Sequence, residues 1–333
     1  MAPPSKSYTH RAILAAGHSL STKIENPLLS ADTRATIRAI EALGSTITED
    51  DGLSITGFHD HPSPPSDVID CANSGTTMRL LIATAALVDG PTTLTGDESL
   101  SSRPQGELLD AIVQLGGEAN SIENNGRAPL VIKGPINGGS VSVPGNISSQ
   151  FITSLLMAGG VTEAGIDITI TSELKSKPYV DITIELLQSF GIETHETENG
   201  YRVPGGQSYS SQNPVYKVPG DFSSMSYLLA AGALASDNGV VVTGAQPTSQ
   251  GDAAIVDILS NMGADIHWDL SKETITVSKS TLSGTTIDVG DTPDLLPTIA
   301  ILGAAATGET TIVNCSHVRY KETDRVSAMS EEL

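Results

Sequence analysis

The chain has few aromatic residues, few cations, two cysteines and no long apolar run. Aromatic residues make up 4% of its 333 residues. No apolar stretch approaches the roughly twenty residues of a membrane span, and no cationic leader precedes one. These absences exclude an integral membrane protein, and we expect a soluble chain with no membrane partner.

The two cysteines, Cys71 and Cys315, form no CxxC motif and have no histidine neighbours at metal-ligand spacing. A disulfide framework and a cysteine-based metal site are therefore excluded. This usage fits a reducing cytoplasm, which is the expected location. No metal and no organic cofactor is expected.

The charge is strongly one-sided, with 18 basic against 39 acidic residues and a formal net charge of -21. Phosphate backbones and anionic membranes would be repelled, which excludes nucleic acid as a partner. Acidity with few aromatics can also indicate disorder, but periodic apolar residues and 32 glycines indicate a folded chain. A surface of this kind suits high salt, although ordinary soluble proteins also have acidic surfaces.

One pattern recurs four times: an apolar helical stripe, then a glycine, then a short alternating strand. The four glycines are separated by 72, 75 and 72 residues; they are Gly44, Gly116, Gly191 and Gly263. Each stands where the end of a helix favours a left-handed residue. The repeat predicts an α/β fold built of similar units.

Strands are expected between the copies, in PTTLTG, IDITIT, GVVVTG and ETTIVNC. The final segment, RVSAMSEEL, resembles the start of a fifth copy, whose glycine would fall at about position 335. A helix without its cap and following strand leaves an apolar face unpaired. We therefore expect the chain to be truncated at its carboxyl end.

Half of the basic residues lie in short segments rich in serine, threonine and glycine. A site for a small polyanion requires positive charge to bind the anion and hydroxyl groups to orient it. The cations in these segments are Lys6, Arg11, Arg79, Arg103, Lys175, Lys177, Arg319, Lys321 and Arg325.

Several of these segments precede an apolar helix, where free backbone amides can bind an anion. Lys6 lies in PPSKSYTHR, and Arg79 lies in CANSGTTMRLL. A cation in the first turn opposes the helix dipole, so an anion docked on the same turn explains its position better. The alternative is an ordinary N-cap with an exposed cation. Further segments of this form are SLSSRPQGELL, VPGNISSQFITSLL, ELKSKPYVDIT and VPGDFSSMSYLL.

Two segments combine cations with carboxylates and are candidates for acid and base chemistry. One is DTPDLLPTIA, with Asp291 and Asp294. The other is HVRYKETDR, with Glu322 and Asp324 among three cations. For the second segment, the alternative is an exposed, ion-paired helix start.

Taken in order, SKSxxxR, NSGTTMR, SSRP, SSQF, SKPY, DxPDLxP and RxKETDR resemble the motifs of the 5-enolpyruvylshikimate-3-phosphate (EPSP) synthase family. The resemblance covers nearly the whole chain. UDP-N-acetylglucosamine enolpyruvyl transferase is the alternative within this fold. It typically carries a cysteine before its RP motif, and residues 99–103 contain none.

The resemblance implies an α/β fold of two domains, a two-domain inside-out α/β barrel made of repeated βαβαββ units. It places a complete three-unit domain at residues 5–219 and a second, incomplete domain at residues 1–4 plus 220–333. It further implies a transferase of aromatic amino-acid biosynthesis that moves the enolpyruvyl group of phosphoenolpyruvate to the 5-hydroxyl of shikimate 3-phosphate. A monomer is the default expectation.

The resemblance also implies roles for individual residues. Asp294 matches the general base, Glu322 matches the acid that protonates the methylene carbon, and Lys6 reaches both substrates. The residues matched to shikimate 3-phosphate are Lys6, Ser7, Arg11, Ser148, Ser149, Ser176, Asp294, His317 and Lys321. Those matched to phosphoenolpyruvate are Lys6, Gly75, Arg103, Gln150 and Arg325.

Two positions depart from the family pattern: His317 stands where many relatives have asparagine, and Ser74 where alanine is common. A later arginine and a later lysine that contact phosphoenolpyruvate in the family have no counterpart in this sequence. The alternative from another functional class is therefore a non-catalytic, anion-binding chain.

Overall fold

The repeat glycines end their helices as the sequence predicts. Gly44, Gly116, Gly191 and Gly263 have φ of +112°, +91°, +77° and +96°. At the first of them, Gly44 N donates to Glu41 O and Ser45 N donates to Ile40 O, at 3.0 Å each. The other three helix ends make the same pair of bonds. This is the Schellman arrangement, which satisfies the last carbonyls of a helix.

The computed structural model describes residues 1–210 and 214–333. The chain divides into two compact units. The larger unit comprises Lys6–Leu174 and Tyr179–Val218. The smaller unit comprises Met1–Ser5, Lys175–Pro178 and Pro219–Leu333. Each unit has its own apolar core.

The chain up to residue 217 alternates helices and strands. The helices are α1 (Lys6–His18), α2 (Ala31–Ala42), α3 (Gly75–Ala85), α4 (Glu98–Ser101), α5 (Gly106–Gln114), α6 (Ser149–Gly159) and α7 (Pro178–Ser189). The strands are β1 (Ser21–Glu25), β2 (Thr46–Asp50), β3 (Gly52–Thr56), β4 (Ile69–Asp70), β5 (Pro91–Thr95), β6 (Glu118–Ser121), β7 (Leu130–Lys133), β8 (Gly139–Val143), β9 (Ile166–Ile170), β10 (His195–Thr197), β11 (Gly200–Val203) and β12 (Val215–Lys217).

These strands form three sheets of the same topology, with orders β12-β1-β3-β2, β4-β5-β7-β6 and β10-β11-β9-β8. In each sheet one pair is parallel (β12 with β1, β4 with β5, β8 with β9), and the other pairs are antiparallel. A helix connects each parallel pair that is consecutive in the chain, as parallel pairing requires. The larger unit thus contains three βαβαββ units, and β12 completes the first of them.

Helices α1, α3 and α6 are buried along almost their whole length. The strands instead alternate buried and exposed residues, as in β8. Helices therefore lie inside this unit and sheets cover them, which confirms the predicted inside-out α/β class. Burial on all sides explains why α6 reads as an almost continuous apolar run.

The smaller unit continues the pattern. Its helices are α8 (Phe222–Ala235), α9 (Ile255–Asn261), α10 (Leu296–Ala305) and α11 (Arg325–Glu332), with short 3-10 helices at Gly251–Ala254, Pro293–Leu295 and Ser316–Tyr320. Its strands are β13 (Val240–Thr243), β14 (Asp265–Asp269), β15 (Thr274–Ser278), β16 (Thr286–Asp288) and β17 (Thr311–Val313). They form the sheets β13-β15-β14 and β16-β17. No helix within residues 1–210 and 214–333 is long and apolar enough to cross a membrane.

Candidate active site

Three helices of the larger unit, α1, α3 and α6, begin without an acidic residue in the first turn. By contrast, α2, α5 and α7 carry Asp32, Glu107 and Asp181 in theirs. An acid at this position stabilises a helix through its dipole. The three acid-free starts therefore leave a positive potential that an anion can occupy.

Hydroxyl side chains connect the starts of α1 and α3. His10 Nδ1 on α1 lies 2.7 Å from Thr36 Oγ1, and Thr36 Oγ1 lies 2.7 Å from Thr77 Oγ1 on α3. Burial, followed by the charges of two nearby cations, lowers the pKa of His10 to about 3. The ring is therefore neutral at neutral pH and acts as part of the scaffold.

Arg79 joins the start of α3 to the start of α6. Its Nη1 donates to Gln150 Oε1 at 3.0 Å and to Ser148 Oγ at 3.4 Å, and its guanidinium lies 5.5 Å from the centre of the Phe151 ring. Ser148 caps α6 through the backbone amide of Gln150. The predicted ligands Ser148 and Gln150 are thus brought together, and Ser149 follows them as the first residue of α6.

Arg103 lies against the start of α3, and only 7% of it is exposed. Its Nη2 donates to Asn73 Oδ1 at 3.4 Å and to Ser99 Oγ at 3.3 Å. Its Nε has no hydrogen-bond partner in the part of the chain that the structure describes. A Cβ atom on Gly75 would lie 2.8 Å from Arg103 Nη1. The predicted pair Gly75 and Arg103 is therefore in contact.

Lys6, the first residue of α1, carries a partly exposed ammonium. Its Nζ lies 3.4 Å from Asp32 Oδ2, and 44% of its side chain is exposed. An exposed pair at this distance contributes little to stability, about 0–1 kcal/mol. Lys6 can therefore leave Asp32 for a stronger anion at small energetic cost.

Arg11 lies inside the larger unit and is 1% exposed. Its guanidinium donates to the backbone oxygens of Ser7 at 2.8 Å and Tyr179 at 2.9 Å, and to the hydroxyls of Thr183 at 2.8 Å and Thr153 at 3.5 Å. Among residues 1–210 and 214–333, no carboxylate forms an ion pair with it. Burial lowers the pKa of Arg11 to about 10, so it stays charged at neutral pH.

In the smaller unit, Arg325 holds two predicted acid and base groups together. Its Nη1 lies 2.5 Å from Asp294 Oδ1, and its Nη2 lies 3.2 Å from Glu322 Oε2. Burial alone would lower the pKa of Arg325, but the charges of Asp294 and Glu322 and their hydrogen bonds raise it overall. The three residues form one charged cluster.

A second group in the smaller unit contains Ser176 and His317. Ser176 has φ +58°, and its amide donates to Gly290 O at 3.2 Å. Neither ring nitrogen of His317 has a hydrogen-bond partner within the described residues. Burial, then the charges of Lys321 and Lys175, lowers the pKa of His317. Ser148 and Ser149 belong to the larger unit, so the predicted serines are divided between the two units.

The charged segment HVRYKETDR divides into two parts. Arg319 Nη1 pairs with Asp324 Oδ2 at 2.7 Å, and Asp324 caps α11. This part is the ion-paired helix start that the alternative interpretation expected. Glu322 and Arg325 instead contact each other beside Asp294.

Sequence reasoning missed one buried acid of the smaller unit, Asp252, which is 0% exposed. Ser223 donates a short hydrogen bond to Asp252 Oδ2. The only signal in the sequence is a polar turn, SQGD, before the apolar stripe of α9. Within the described residues, no group of three or more His, Cys, Asp or Glu side chains could hold a metal ion.

Comparisons with known proteins agree on one family. The family model described as EPSP synthase (3-phosphoshikimate 1-carboxyvinyltransferase) matches residues 1–333. A 3-phosphoshikimate 1-carboxyvinyltransferase of Natronomonas pharaonis is 62% identical over 344 residues, which cover 100% of this chain and 78% of that protein. The enzyme of the same name from Methanosarcina acetivorans is 50% identical over 337 residues, with the same coverage.

Solved structures give the same result. The EPSP synthase of Acinetobacter baumannii matches with a TM-score of 0.83 and 25% identity over 99% of this chain and 76% of that chain. The enolpyruvyl transferase NikO of Streptomyces tendae matches with a TM-score of 0.72 and 18% identity over 93% of this chain and 73% of that chain. The second likeness concerns the fold alone.

Proposed function

Because the chain belongs to the EPSP synthase family, we propose that it transfers the enolpyruvyl group of phosphoenolpyruvate to the 5-hydroxyl of shikimate 3-phosphate. The products are 5-enolpyruvylshikimate 3-phosphate and phosphate. The observation that carries the proposal is the cluster of cations at three acid-free helix starts. Both substrates are small polyanions, which such a cluster fits.

The residues that we assign to shikimate 3-phosphate are those that match the family motifs. In the larger unit, Lys6, Ser7, Ser148 and Ser149 offer an ammonium and hydroxyls at the helix starts. Arg11 is too buried to be an ordinary surface ligand, and it contributes a positive charge that lacks a carboxylate partner within the described residues. In the smaller unit the assigned residues are Ser176, Asp294, His317 and Lys321.

Phosphoenolpyruvate is assigned to Lys6, Gly75, Arg103, Gln150 and Arg325. The missing Cβ of Gly75 leaves the face of Arg103 accessible, since a side chain there would meet Nη1. The guanidinium fork suits phosphate and carboxylate oxygens. Arg325 would exchange part of its ion pairing with Asp294 and Glu322 for the carboxylate of the donor.

The reaction proceeds by addition and elimination. Asp294 takes the proton of the 5-hydroxyl while the oxygen attacks C2 of phosphoenolpyruvate, and Glu322 gives a proton to the methylene carbon. In the second half, a proton leaves the resulting methyl group, the C2–O bond to phosphate breaks and the double bond reforms. Lys6 stabilises the negative charge that develops on the reacting oxygens.

We propose the domains as residues 5–219 and as residues 1–4 with 220–333; the compact units differ from these bounds at Ser5, Lys175–Pro178 and Pro219, which belong to the smaller unit. We propose a cytoplasmic protein without nucleic-acid or membrane partners, which two unbonded cysteines and a net charge of -21 support. A monomer is the default expectation. Both substrates are small molecules, and no cofactor enters the proposed reaction.

The proposed function is tested by phosphate release from phosphoenolpyruvate. We expect release with shikimate 3-phosphate, none with UDP-N-acetylglucosamine and none without an acceptor. Release with the UDP-sugar would overturn the acceptor assignment. If the chain binds both anions but releases no phosphate in any mixture, the alternative of a non-catalytic, anion-binding chain would be favoured.

Substitution Gly75→Ala tests the donor site. The added Cβ would lie 2.8 Å from Arg103 Nη1, so the guanidinium must move away from its present position. We expect the KM for phosphoenolpyruvate to rise by about 5- to 150-fold, since a displaced charge-assisted contact loses about 1–3 kcal/mol. The KM for shikimate 3-phosphate should change much less. Steady-state kinetics with each substrate varied in turn measures both.

Gly106→Ala is the matched control. Gly106 is also the first residue of a helix, and a Cβ there meets nothing closer than Gly126 Cα at 3.9 Å. Its kinetics should equal those of the unmodified protein. An equal rise in both KM values for Gly75→Ala would contradict the assignment of Gly75 to the donor.

His317 should couple acceptor binding to proton uptake. Its pKa is lowered in the empty site by burial and by Lys321 and Lys175, so the ring is neutral at pH 7. A phosphate dianion beside it offsets the lysine charges and raises its proton affinity. Titration calorimetry of shikimate 3-phosphate binding at pH 7, in two buffers of different ionisation enthalpy, should therefore report net proton uptake.

His317→Asn should abolish that uptake, because asparagine keeps a hydrogen-bonding side chain but does not titrate. His267→Asn, on the exposed face of β14, is the matched control and should leave the uptake unchanged. The same uptake in His317→Asn as in the unmodified protein would show that another group takes up the proton.

A further inference from the structure

The smaller unit contains a buried cluster of acids and amides at the start of α8. Gln250 Nε2 donates to Asp221 Oδ1 at 2.9 Å and to Ser223 Oγ at 3.0 Å, and it lies 3.5 Å from Asp252 Oδ2. Ser223 Oγ donates its proton to Asp252 Oδ2. The side chain of Asp252 is fully enclosed, so it cannot touch a substrate.

The cluster lies next to the segment that carries Asp294. A Cβ atom on Gly251 would lie 3.0 Å from Asp291 O, and the 3-10 helices Gly251–Ala254 and Pro293–Leu295 both pack against α8. Of the charges that act on Asp252, that of Asp294 is the strongest and that of Asp221 is next. Asp294 therefore pairs with a cation, Arg325, and its charge also acts on the buried carboxyl of Asp252.

These two neighbours have opposite effects on the proton affinity of Asp294. The guanidinium of Arg325, 2.5 Å away, favours the ionised carboxylate and would make it a weak base. A carboxylate at Asp252 opposes this, because Asp252 is fully buried and a nearby like charge favours protonation of one of the two acids. A general base beside an arginine accepts a proton near neutral pH only if another group raises its proton affinity again.

We infer that Asp252 is a positioning residue for the reaction, whose buried carboxyl, held by Ser223 and Gln250, acts through Asp294 to keep that side chain an effective proton acceptor beside Arg325. The inference rests on the proposed function, in which Asp294 takes the proton of the acceptor hydroxyl. It assigns a role to a residue that meets no substrate.

Because Asp252 titrates, its effect on Asp294 should depend on pH. Burial, then the charge of Asp294, raises the pKa of Asp252 from 3.8 to about 7, against the opposing hydrogen bond from Ser223. The charged groups that act on it include Asp294, which pairs with Arg325, and Asp221 from the start of α8. Asp252 thus carries its charge above about pH 7 and is protonated below it.

The test compares Asp252→Asn with the unmodified protein across pH. Asparagine resembles the protonated acid, so kcat of the two should agree near pH 5.5. By pH 8.5 the variant should be slower by about 3- to 10-fold, a part of the usual effect of acid–base catalysis. KM values should stay close to those of the unmodified protein. Asp257→Asn, on the exposed face of α9, makes the same charge change and should show no such divergence.

Thermal unfolding supplies a readout that does not depend on turnover. Since the folded pKa of Asp252 is raised, its protonation stabilises the fold below about pH 3.8, and that stability is lost as pH rises through about 7. Asp252→Asn does not lose this stability, because asparagine does not ionise. Its Tm should exceed that of the unmodified protein by an amount that grows from about pH 4 to pH 7, reaching about 4 °C or more at pH 8.5.

A variant that is more stable yet slower at alkaline pH supports the inference. A ratio of kcat values that stays constant from pH 5.5 to pH 8.5, or a Tm lowered at every pH, would show a structural role only and overturn it. Absence of phosphate release from both the unmodified protein and Asp257→Asn would overturn the proposed reaction itself, and this inference with it.

Discussion

Asp294→Asn is expected to lower kcat by about 10²- to 10⁴-fold, the usual contribution of a positioned general base. Asparagine has nearly the same shape and can still accept a hydrogen bond from Arg325, whose Nη1 lies 2.5 Å from Asp294 Oδ1. It cannot take a proton from the acceptor hydroxyl. KM values should change far less than kcat, since the lost interaction forms mainly in the transition state. Steady-state phosphate release at saturating substrates measures the effect.

Asp291→Asn is the matched control for this change. Asp291 lies three residues earlier and accepts a hydrogen bond from the backbone amide of Lys177 at 3.2 Å. It carries the same charge in the same segment but does not pair with Arg325. A loss of kcat in Asp291→Asn equal to that in Asp294→Asn would indicate a general charge effect, and the role of base would have to be given up.

The repeat is the part of the fold that the sequence predicted best. Glycine at a helix end has a local cause, because residues such as Gly44 must adopt positive φ, and a local cause can be read from local sequence. The strands predicted in PTTLTG and IDITIT are β5 and β9, and the helix predicted in RVSAMSEEL is α11. The order of motifs predicted the family, which the family match over residues 1–333 confirms.

The pairing within the charged segment could not be predicted. From the sequence alone, either Arg319 or Arg325 could pair with Asp324. In the structure Arg319 pairs with Asp324, whereas Arg325 pairs with Asp294, 31 residues earlier in the chain. The choice depends on which cation the fold brings next to the Pro293–Leu295 turn. Contacts between residues that are distant in sequence have no local signature. The segment therefore fits both interpretations in part: Arg319 and Asp324 form an ion-paired helix start, and Glu322 and Arg325 lie beside Asp294.

Burial was the second property that sequence could not supply. Arg11 belongs to a motif, but nothing in the motif indicates that four protein oxygens would surround its guanidinium. Asp252 belongs to no motif at all and resembles any acid in a polar turn. Only its enclosure beside Asp294 gives it chemical significance, because a carboxyl acts strongly on another carboxyl only where water is excluded.

Lys6→Met is the second substitution with a large expected effect. It should lower activity strongly while leaving stability almost unchanged. The side chain of Lys6 is 44% exposed and its pair with Asp32 is long, at 3.4 Å, so removing the ammonium should lower stability by less than about 1 kcal/mol. A cation at the first position of α1 also opposes the helix dipole, so its removal offsets part of that loss. We expect a Tm within about 2 °C of the unmodified protein.

Activity should instead fall by on the order of 10²- to 10³-fold in kcat, the effect of removing one group that stabilises developing negative charge. Lys6→Arg should recover part of the binding but little of kcat, because the larger, planar guanidinium cannot occupy the position of an ammonium. Lys23→Met is the matched control: Lys23 also makes only long, exposed ion pairs, at 3.8 Å to Glu25 and Asp51. Equal activity in Lys6→Met and Lys23→Met would remove Lys6 from the catalytic group. A Tm loss that accounts for the fall in activity would assign Lys6 a structural role instead.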